Sequence, residues 1–321
     1  MQVKSIDFLL TFKCPSRCKH CSYRAGPERT GFMSLRDAER WLTELLNTQP
    51  LKSFTVHGGE PFLYFEVLKG IFRKAKELGV QERWVITNGY WAKDFKIAEK
   101  YLNELKEAGL LGITFSVDAF HQEYIPLETV RTGIEAAVQI GFEKVAVDSY
   151  FLGCEDSDNE YDISTENVIS SLKGLSDVQF SRFKATFEGR AAELIADDTE
   201  IENRVPTGKC QFPFWLGGDL KNPEGIEIDF EGNVTLCPGI SIGNAKSESL
   251  VDILEGYDYR NHPIIKILAE EGPIGLMDLA REKGYERERK YINECHLCYE
   301  MRRFLYLYYS QYLKPASCYS G

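Results

Sequence analysis

The feature that most limits what this chain can become is an alternation through residues 1–190, in which short β-rich apolar runs are each followed by a stretch of helical periodicity. Residues 3–12 (V-K-S-I-D-F-L-L-T-F) read as a buried strand. Ser34 and Asp37 then form an S-x-x-D capping pattern ahead of Leu35, Trp41, Leu42, Leu45 and Leu46 at helical spacing. Residues 54–56 are a second strand, and Val67, Leu68, Ile71, Phe72, Ala75 and Leu78 mark a second helix that Gly79 stops. Strands at 84–87, 113–117, 145–147 and 178–187 alternate with helices at 94–108, 127–140 and 164–173. Such steps imply parallel strands joined by right-handed crossovers. Eight steps would close a barrel of about 250 residues, so six predict an α/β fold, an open, partial (β/α)6 TIM-like barrel. Functional groups in that architecture sit on loops at the C-terminal ends of the strands.

The loops carry chemistry where this rule puts it. After the first strand, T-F-K-C-P-S-R-C-K-H-C-S-Y spans residues 11–23 and gathers Cys14, Cys18 and Cys21 in C-x3-C-x2-C spacing. A spacing of i, i+4, i+7 also fits one helix face, with cysteine packing as a small hydrophobe. Against that reading, Lys13, Arg17, Lys19 and His20 crowd the segment and Pro15 interrupts it. Three thiolates for a [4Fe-4S] cluster, which normally takes four, leave one iron open to another ligand. H-G-G-E-P follows the second strand at 57–61, T-N-G the third, and S-V-D-A-F-H the fourth.

The cysteine spacing after a first strand, with Gly58-Gly59-Glu60-Pro61 at the end of the next, resembles the radical S-adenosylmethionine (radical SAM) superfamily. The resemblance implies a [4Fe-4S] cluster on Cys14, Cys18 and Cys21 whose open iron is held by the amino and carboxylate groups of S-adenosylmethionine (AdoMet). It implies that Gly58, Gly59 and Glu60 line the cradle for the methionine amino group. Two glycines let backbone carbonyls approach a cationic amine, and a carboxylate adds charge beside it. It also implies polar contacts to AdoMet from Asn88, Ser116 and Asp118, although N-G is a turn dipeptide and Asp often caps a helix. Where the family has an aromatic residue before its third cysteine, this chain has His20, which can stack in its place. Arg190, in a G-R-A after the sixth strand, resembles a recurring element of members with C-terminal cluster domains. Asp118, His121 and Glu123 could instead face the substrate as acid, base or hydrogen-bond donor.

After residue 190 the pattern changes. An acidic segment, residues 191–209, reads as a linker or a short helix. Residues 226–237 read as a β-hairpin around Glu231-Gly232-Asn233, residues 248–283 as helices in pieces, and 295–313 as a last helix. That helix carries Met301, Phe304, Leu305, Tyr308 and Tyr312 on one side, and Tyr299, Tyr306 and Tyr309 add to a packing surface. This part, residues 210–321, resembles the SPASM and twitch auxiliary-cluster domains, with Gly232 and Cys237 in G-x4-C and Cys295 and Cys298 in C-x2-C. The longer C-x2-C-x5-C-x3-C pattern is absent, position 304 being Phe. The resemblance therefore implies one auxiliary [4Fe-4S] cluster on Cys210, Cys237, Cys295 and Cys298. Four cysteines also suit tetrahedral zinc. Cys154 and Cys318 are left over, as a packing residue and a tail thiol or as hydrogen-atom donors.

Composition bounds the rest. With 38 Lys plus Arg against 49 Asp plus Glu, a net charge of −11 argues against a nucleic-acid backbone as partner. No charged-then-apolar leader and no long apolar run is present, so neither secretion nor membrane insertion is expected, and the chain reads as cytoplasmic. Nine cysteines in such a chain more often bind metal than form disulfides. The resemblance implies a radical SAM enzyme fed by an electron donor such as flavodoxin or ferredoxin. Its substrate is expected to be a peptide or protein side chain. The alternatives are oxidation of a small molecule such as a sugar and, in a different class, a non-catalytic iron–sulfur or zinc protein.

Overall fold

The computed structural model describes residues 1–153, 158–196, 199, 205–210, 215–287 and 289–319. Six parallel strands follow the chain across a sheet: β1 (Ser5–Leu9), β2 (Ser53–His57), β3 (Glu82–Thr87), β4 (Gly112–Ser116), β5 (Lys144–Phe151) and β6 (Gln179–Lys184). The crossovers between them carry α1 (Leu35–Leu46), α2 (Phe65–Glu77), α3 (Phe95–Ala108), the single turn α4 (Ala119–Gln122), α5 (Leu127–Ile140) and α6 (Glu160–Leu172). The expected partial barrel is the fold. α1 starts where the capping pattern puts it, the Asp37 amide donating to Ser34 Oγ at 3.1 Å, and buries Ala38, Trp41, Leu42 and Leu45. α3 stops at Gly109, whose φ of +109° closes a left-handed C-cap that a side chain would strain. α6 begins earlier than its apolar spacing suggests, because Asn159 caps it and Asp162 turns inward to accept from the amides of Leu152 and Gly153 at 2.7 and 2.8 Å.

The hairpin lies elsewhere than a free-standing C-terminal domain would put it. β7 (Gly225–Asp229) pairs in parallel with the free edge of β1, and β8 (Asn233–Cys237) and β9 (Ile240–Asn244) follow antiparallel, so one nine-stranded sheet runs β6-β5-β4-β3-β2-β1-β7-β8-β9. The segment after β6 opens with the short helix α7 (Arg190–Leu194). The later helices are α8 (Leu250–Glu255), α9 (Pro263–Glu270), α10 (Pro273–Glu282) and α11 (Glu294–Tyr309). One apolar core includes Ile6 and Phe8 of β1, Ile226 and Ile228 of β7, and Leu297 and Leu305 of α11. Trp41 Nε1 and Arg40 Nη2 of α1 both donate to the carbonyl of Ala245, just past β9, at 2.9 and 2.7 Å. Among the described residues no helix is long and apolar enough to cross a membrane.

Register decides what faces inward. Ser5 and Asp7 of β1 and Ser53, Thr55 and His57 of β2 line a cavity, while Phe8 packs edge-on against Trp41 and Phe54 on the helix side, with ring centroids 6.0 and 5.0 Å apart. The strands that read as apolar runs therefore alternate, and the barrel interior is polar. Because β1 is a central strand only while β7 is present, residues 1–209 expressed alone should lack a cooperative thermal transition and aggregate through the bared edge. A monomeric 1–209 fragment with a sharp melting transition would show that the two segments are separable units.

Candidate active site

Both cysteine groups line a single cavity of about 590 Å³, within the usual range for a small-ligand pocket. Cys14, Cys18 and Cys21 leave the end of β1 on a loop held from two sides. From β2, the Gly59 amide donates to the Thr11 carbonyl at 2.6 Å and the Glu60 amide to the Lys13 carbonyl at 2.9 Å. Gly58 sits at φ +131°, and a Cβ on Gly59 would run into the Lys13 carbonyl, so the G-G pair is what lets the two loops touch. From beyond β6, Arg190 Nε donates to the Cys18 carbonyl at 3.0 Å, its amide to the Cys21 carbonyl at 3.2 Å, and Nη2 to the Ala25 carbonyl. Arg190 thus binds the cysteine loop itself, and Gly189 at φ +58° allows the close approach.

The sulfurs sit among donors. The Ser16 amide and Asn88 Nδ2 each lie 3.4 Å from Cys14 Sγ, and the Ala25 amide 3.4 Å from Cys21 Sγ. Burial pushes the Cys14 thiol up to about 12 and that of Cys18 well above its ordinary value. Buried thiols of this kind ionise when a metal centre compensates their charge, and N–H groups aimed at sulfur are what such a centre uses around it. The donor set therefore fits an iron–sulfur cluster.

The expected AdoMet contacts divide into two sets. Gly58, Gly59, Asn88, Ser116, His20 and Arg190 line the cavity. Glu60 and Asp118 lie behind that lining, where neighbouring elements hold their carboxylates. Glu60 accepts from Thr87 Oγ1 at 2.8 Å, the Asn88 amide at 2.9 Å and the Phe62 amide at 3.1 Å, while burial raises it to about 7. Asp118 caps α4, accepting from the His121 amide at 3.0 Å and facing His121 Nδ1 at 2.9 Å. Burial works against its charge, but His121 and His20 together with these hydrogen bonds pull it down to about 2. Burial lowers His20 to about 4, so it presents a neutral ring, 4.7 Å from Phe120 and 5.3 Å from Tyr150 between centroids. His121 reaches the cavity wall, whereas Glu123 pairs with Lys19 at 3.6 Å.

Cys210, Cys237, Cys295 and Cys298 come together on the cavity wall from the stretch before β7, the end of β8 and the first turn of α11. Asn293 caps that helix, accepting from the His296 amide at 2.9 Å. Burial raises the thiols of Cys237, Cys295 and Cys298. Arg302, one turn on from Cys298, is buried with them and reaches Glu188 Oε2 at 3.3 Å and the Pro238 carbonyl at 2.7 Å. Cys318 is no tail thiol: the final segment folds back and buries it, its carbonyl accepting from Tyr299 OH at 2.8 Å. It does not line the cavity. Cys154 lies outside the described residues. Of the tyrosines on the last helix, Tyr299 is buried and Tyr308 exposed, as a packing surface with one wet edge requires.

Asp7, His57, Glu227 and Tyr23 were not singled out by motif, yet three neighbouring strands and the cysteine loop bring them together. Tyr23 OH donates to Glu227 Oε2, Trp215 Nε1 to Glu227 Oε1 at 3.2 Å, and His57 Nε2 lies 3.9 Å from Asp7 Oδ2 and 3.7 Å from Glu227 Oε1. The available signal was a polar or charged residue at alternate positions of β1 and β2, Ser5 and Asp7, then Ser53, Thr55 and His57, with His57 directly before G-G-E-P.

Comparison with known proteins gives concordant results. The family model described as the Radical SAM superfamily matches residues 8–165. YydG of Bacillus subtilis (strain 168), whose name places it in peptide biosynthesis, is 24% identical over 135 residues, 42% of each chain. The GTP 3',8-cyclase of Vibrio vulnificus is 31% identical over 149 residues, 43% of this chain and 42% of that one. This chain spans less than half of the length of these two curated relatives, 42% of each. Among solved structures, BtrN in complex with AdoMet and 2-DOIA superposes with a TM-score of 0.50 at 13% identity, over 85% of this chain and 89% of that one, a likeness of fold.

The two-sided clamp makes a prediction that a merely exposed loop would not. Gly59→Ala should lower iron uptake at the first cysteine group and cut AdoMet cleavage by about 100-fold, the cost of misplacing a catalytic loop by roughly 1 Å. Gly174→Ala, where a Cβ meets nothing within 4 Å, should leave both unchanged. Iron analysis and product chromatography on the two variants check this, and equal behaviour would remove the clamp's role.

Proposed function

Residues 8–165 of this chain belong to the radical SAM superfamily, and from that premise we propose that the protein reductively cleaves AdoMet and abstracts hydrogen from a peptide or protein side chain. The observation that carries this reading is the shared cavity: the first three cysteines, the polar residues around them and the second group of four all line it. When bound, the first cluster and AdoMet supply a 5′-deoxyadenosyl radical, and the rest of the chemistry is position and exclusion of water. Cys14, Cys18 and Cys21 would hold the cluster, on a loop fixed by Arg190 and the G-G pair. Asn88, Ser116 and the backbone at Gly58 and Gly59 would meet AdoMet, with the neutral His20 ring as a stacking face. Glu60 and Asp118 serve by holding the ends of β3 and α4. A flavodoxin or ferredoxin is the proposed electron donor.

Cys210, Cys237, Cys295 and Cys298 would take a second [4Fe-4S] cluster with all four irons ligated by protein, leaving electron transfer as its role. Peptide modification is supported by the similarity to YydG. Small-molecule chemistry is the second reading, favoured by the match at 31% identity to a GTP 3',8-cyclase. Peptide and small-molecule candidates offered to the reduced enzyme with deuterium-free AdoMet separate the two, since only a true substrate accelerates 5′-deoxyadenosine release.

Reduced, anaerobic wild type should turn AdoMet into 5′-deoxyadenosine, and the triple change of Cys14, Cys18 and Cys21 to Ala should abolish it. A triple variant that still forms the product would end the radical reading. Reconstituted wild type should carry about eight irons per chain and the triple variant about four. Zinc in the triple variant that is lost on Cys295→Ala, or loss of the second cluster on Cys318→Ala but not on Cys210→Ala, would refute the proposed ligand set.

A further inference from the structure

The geometry points to a binding site for one divalent metal ion on the cavity wall, formed by Asp7 of β1, His57 of β2 and Glu227 of β7 and separate from both cysteine groups. One ligand atom from each of the three lies within 4.8 Å of the others. His57 Nε2 has no hydrogen-bond partner, although it is buried and stands between two carboxylates. The register makes the arrangement deliberate in the fold: Asp7 lies directly opposite both Glu227 and Thr55, and His57 is two residues along β2 from Thr55 on the same face.

The separations discriminate between occupants. Donor atoms about 2.8 Å from an ammonium nitrogen stand about 4.6 Å apart at tetrahedral angles. Ligands about 2.0–2.3 Å from a metal stand about 3.3–3.8 Å apart. The observed 3.9 Å and 3.7 Å from His57 Nε2 to Asp7 Oδ2 and Glu227 Oε1 lie nearer to the metal spacing. Charge agrees. A neutral imidazole and two carboxylates sum to minus two, which a divalent ion cancels.

The carboxylates also have the outer partners that metal ligands use. Tyr23 OH donates to Glu227 Oε2 and Trp215 Nε1 to Glu227 Oε1 at 3.2 Å, while Thr55 stands directly opposite Asp7 on β2. A nitrogen-and-oxygen set without sulfur suits manganese, iron(II) or zinc. Three protein ligands leave an open coordination position. All three residues line the cavity, so that position faces its interior, where an oxygen of the substrate, a carbonyl, carboxylate or hydroxyl, would complete the coordination. None of the cysteines takes part, so the site stands or falls apart from the radical reading.

The test uses the full chain, anaerobically purified without a histidine tag and with its clusters reconstituted. Manganese(II) chloride is titrated in while EPR follows the free ion, and elemental analysis counts zinc in the same samples. Wild type should hold about one equivalent of manganese, or of zinc already in place. Asp7→Asn, His57→Gln and Glu227→Gln, each with wild-type circular dichroism and cluster absorbance, should weaken that binding by about tenfold or more. The Cys14, Cys18, Cys21 triple variant should bind as wild type does. A wild type that takes up neither ion at millimolar manganese and holds no iron beyond its clusters overturns the site, as does equal binding by all the folded conservative variants. Loss confined to the folded triple variant would move the metal to the cysteines and overturn it equally.

Discussion

The backbone contact between the cysteine loop and the glycine pair after β2 is the constraint on which the rest depends. A loop bearing three cysteines and several cations has little reason to hold one shape in water. Here its carbonyls at Thr11 and Lys13 are taken by the amides of Gly59 and Glu60, and those at Cys18, Cys21 and Ala25 by Arg190. Five carbonyls tied from opposite sides of the barrel leave the sulfurs as the groups free to face the cavity. Glu60 then extends the chain of support inward, since its buried carboxylate joins the β2 end to the β3 end through Thr87 and the Asn88 amide.

An open barrel has an edge, and this chain closes that edge with its own later segment. β7 supplies β1 with a second neighbour and carries Glu227 into register with Asp7. The same addition brings β8, and with it Cys237, to the cavity wall. Sheet extension therefore places one member of the second cysteine group, and residues from both halves share one core. The polar interior that results is costly to bury unless its groups are paired or meet a ligand. Many are paired: Asp118 with His121, Glu227 with Tyr23 and Trp215.

The partial barrel was legible because six alternations of period are a strong signal, and so was the Ser34 cap. The cysteine spacing and G-G-E-P were legible for the same reason, being local in sequence. Two things were not. The attachment of β7 to β1 joins residues more than 200 apart, and nothing in I-E-I-D distinguishes a strand that pairs with its hairpin partner alone from one that also extends a sheet. The direction of a carboxylate is equally hidden. Glu60 and Asp118 sit in motif positions that suggest ligand contact, yet their oxygens are claimed by amides two or three residues, or one strand, away. Short polar side chains at strand ends find backbone donors first.

Arg302 bears on what the second group of cysteines is for. A fully buried guanidinium is tolerated only where negative charge surrounds it. Its one carboxylate partner is Glu188, at 3.3 Å, and its Nε has no hydrogen-bond partner among the described residues. Glu188 is itself pushed up by burial, with Arg302 holding it down. If Cys210, Cys237, Cys295 and Cys298 were neutral packing thiols, Glu188 would be the one charged partner of this arginine among the described residues, its other hydrogen bonds going to the Pro238 carbonyl and the Tyr319 hydroxyl. As ligands of a metal centre the same sulfurs carry negative charge, and Arg302, lying beside Cys298 and Cys237, becomes the group that offsets it. A positive charge at that position would favour the more reduced, more negative state of such a centre.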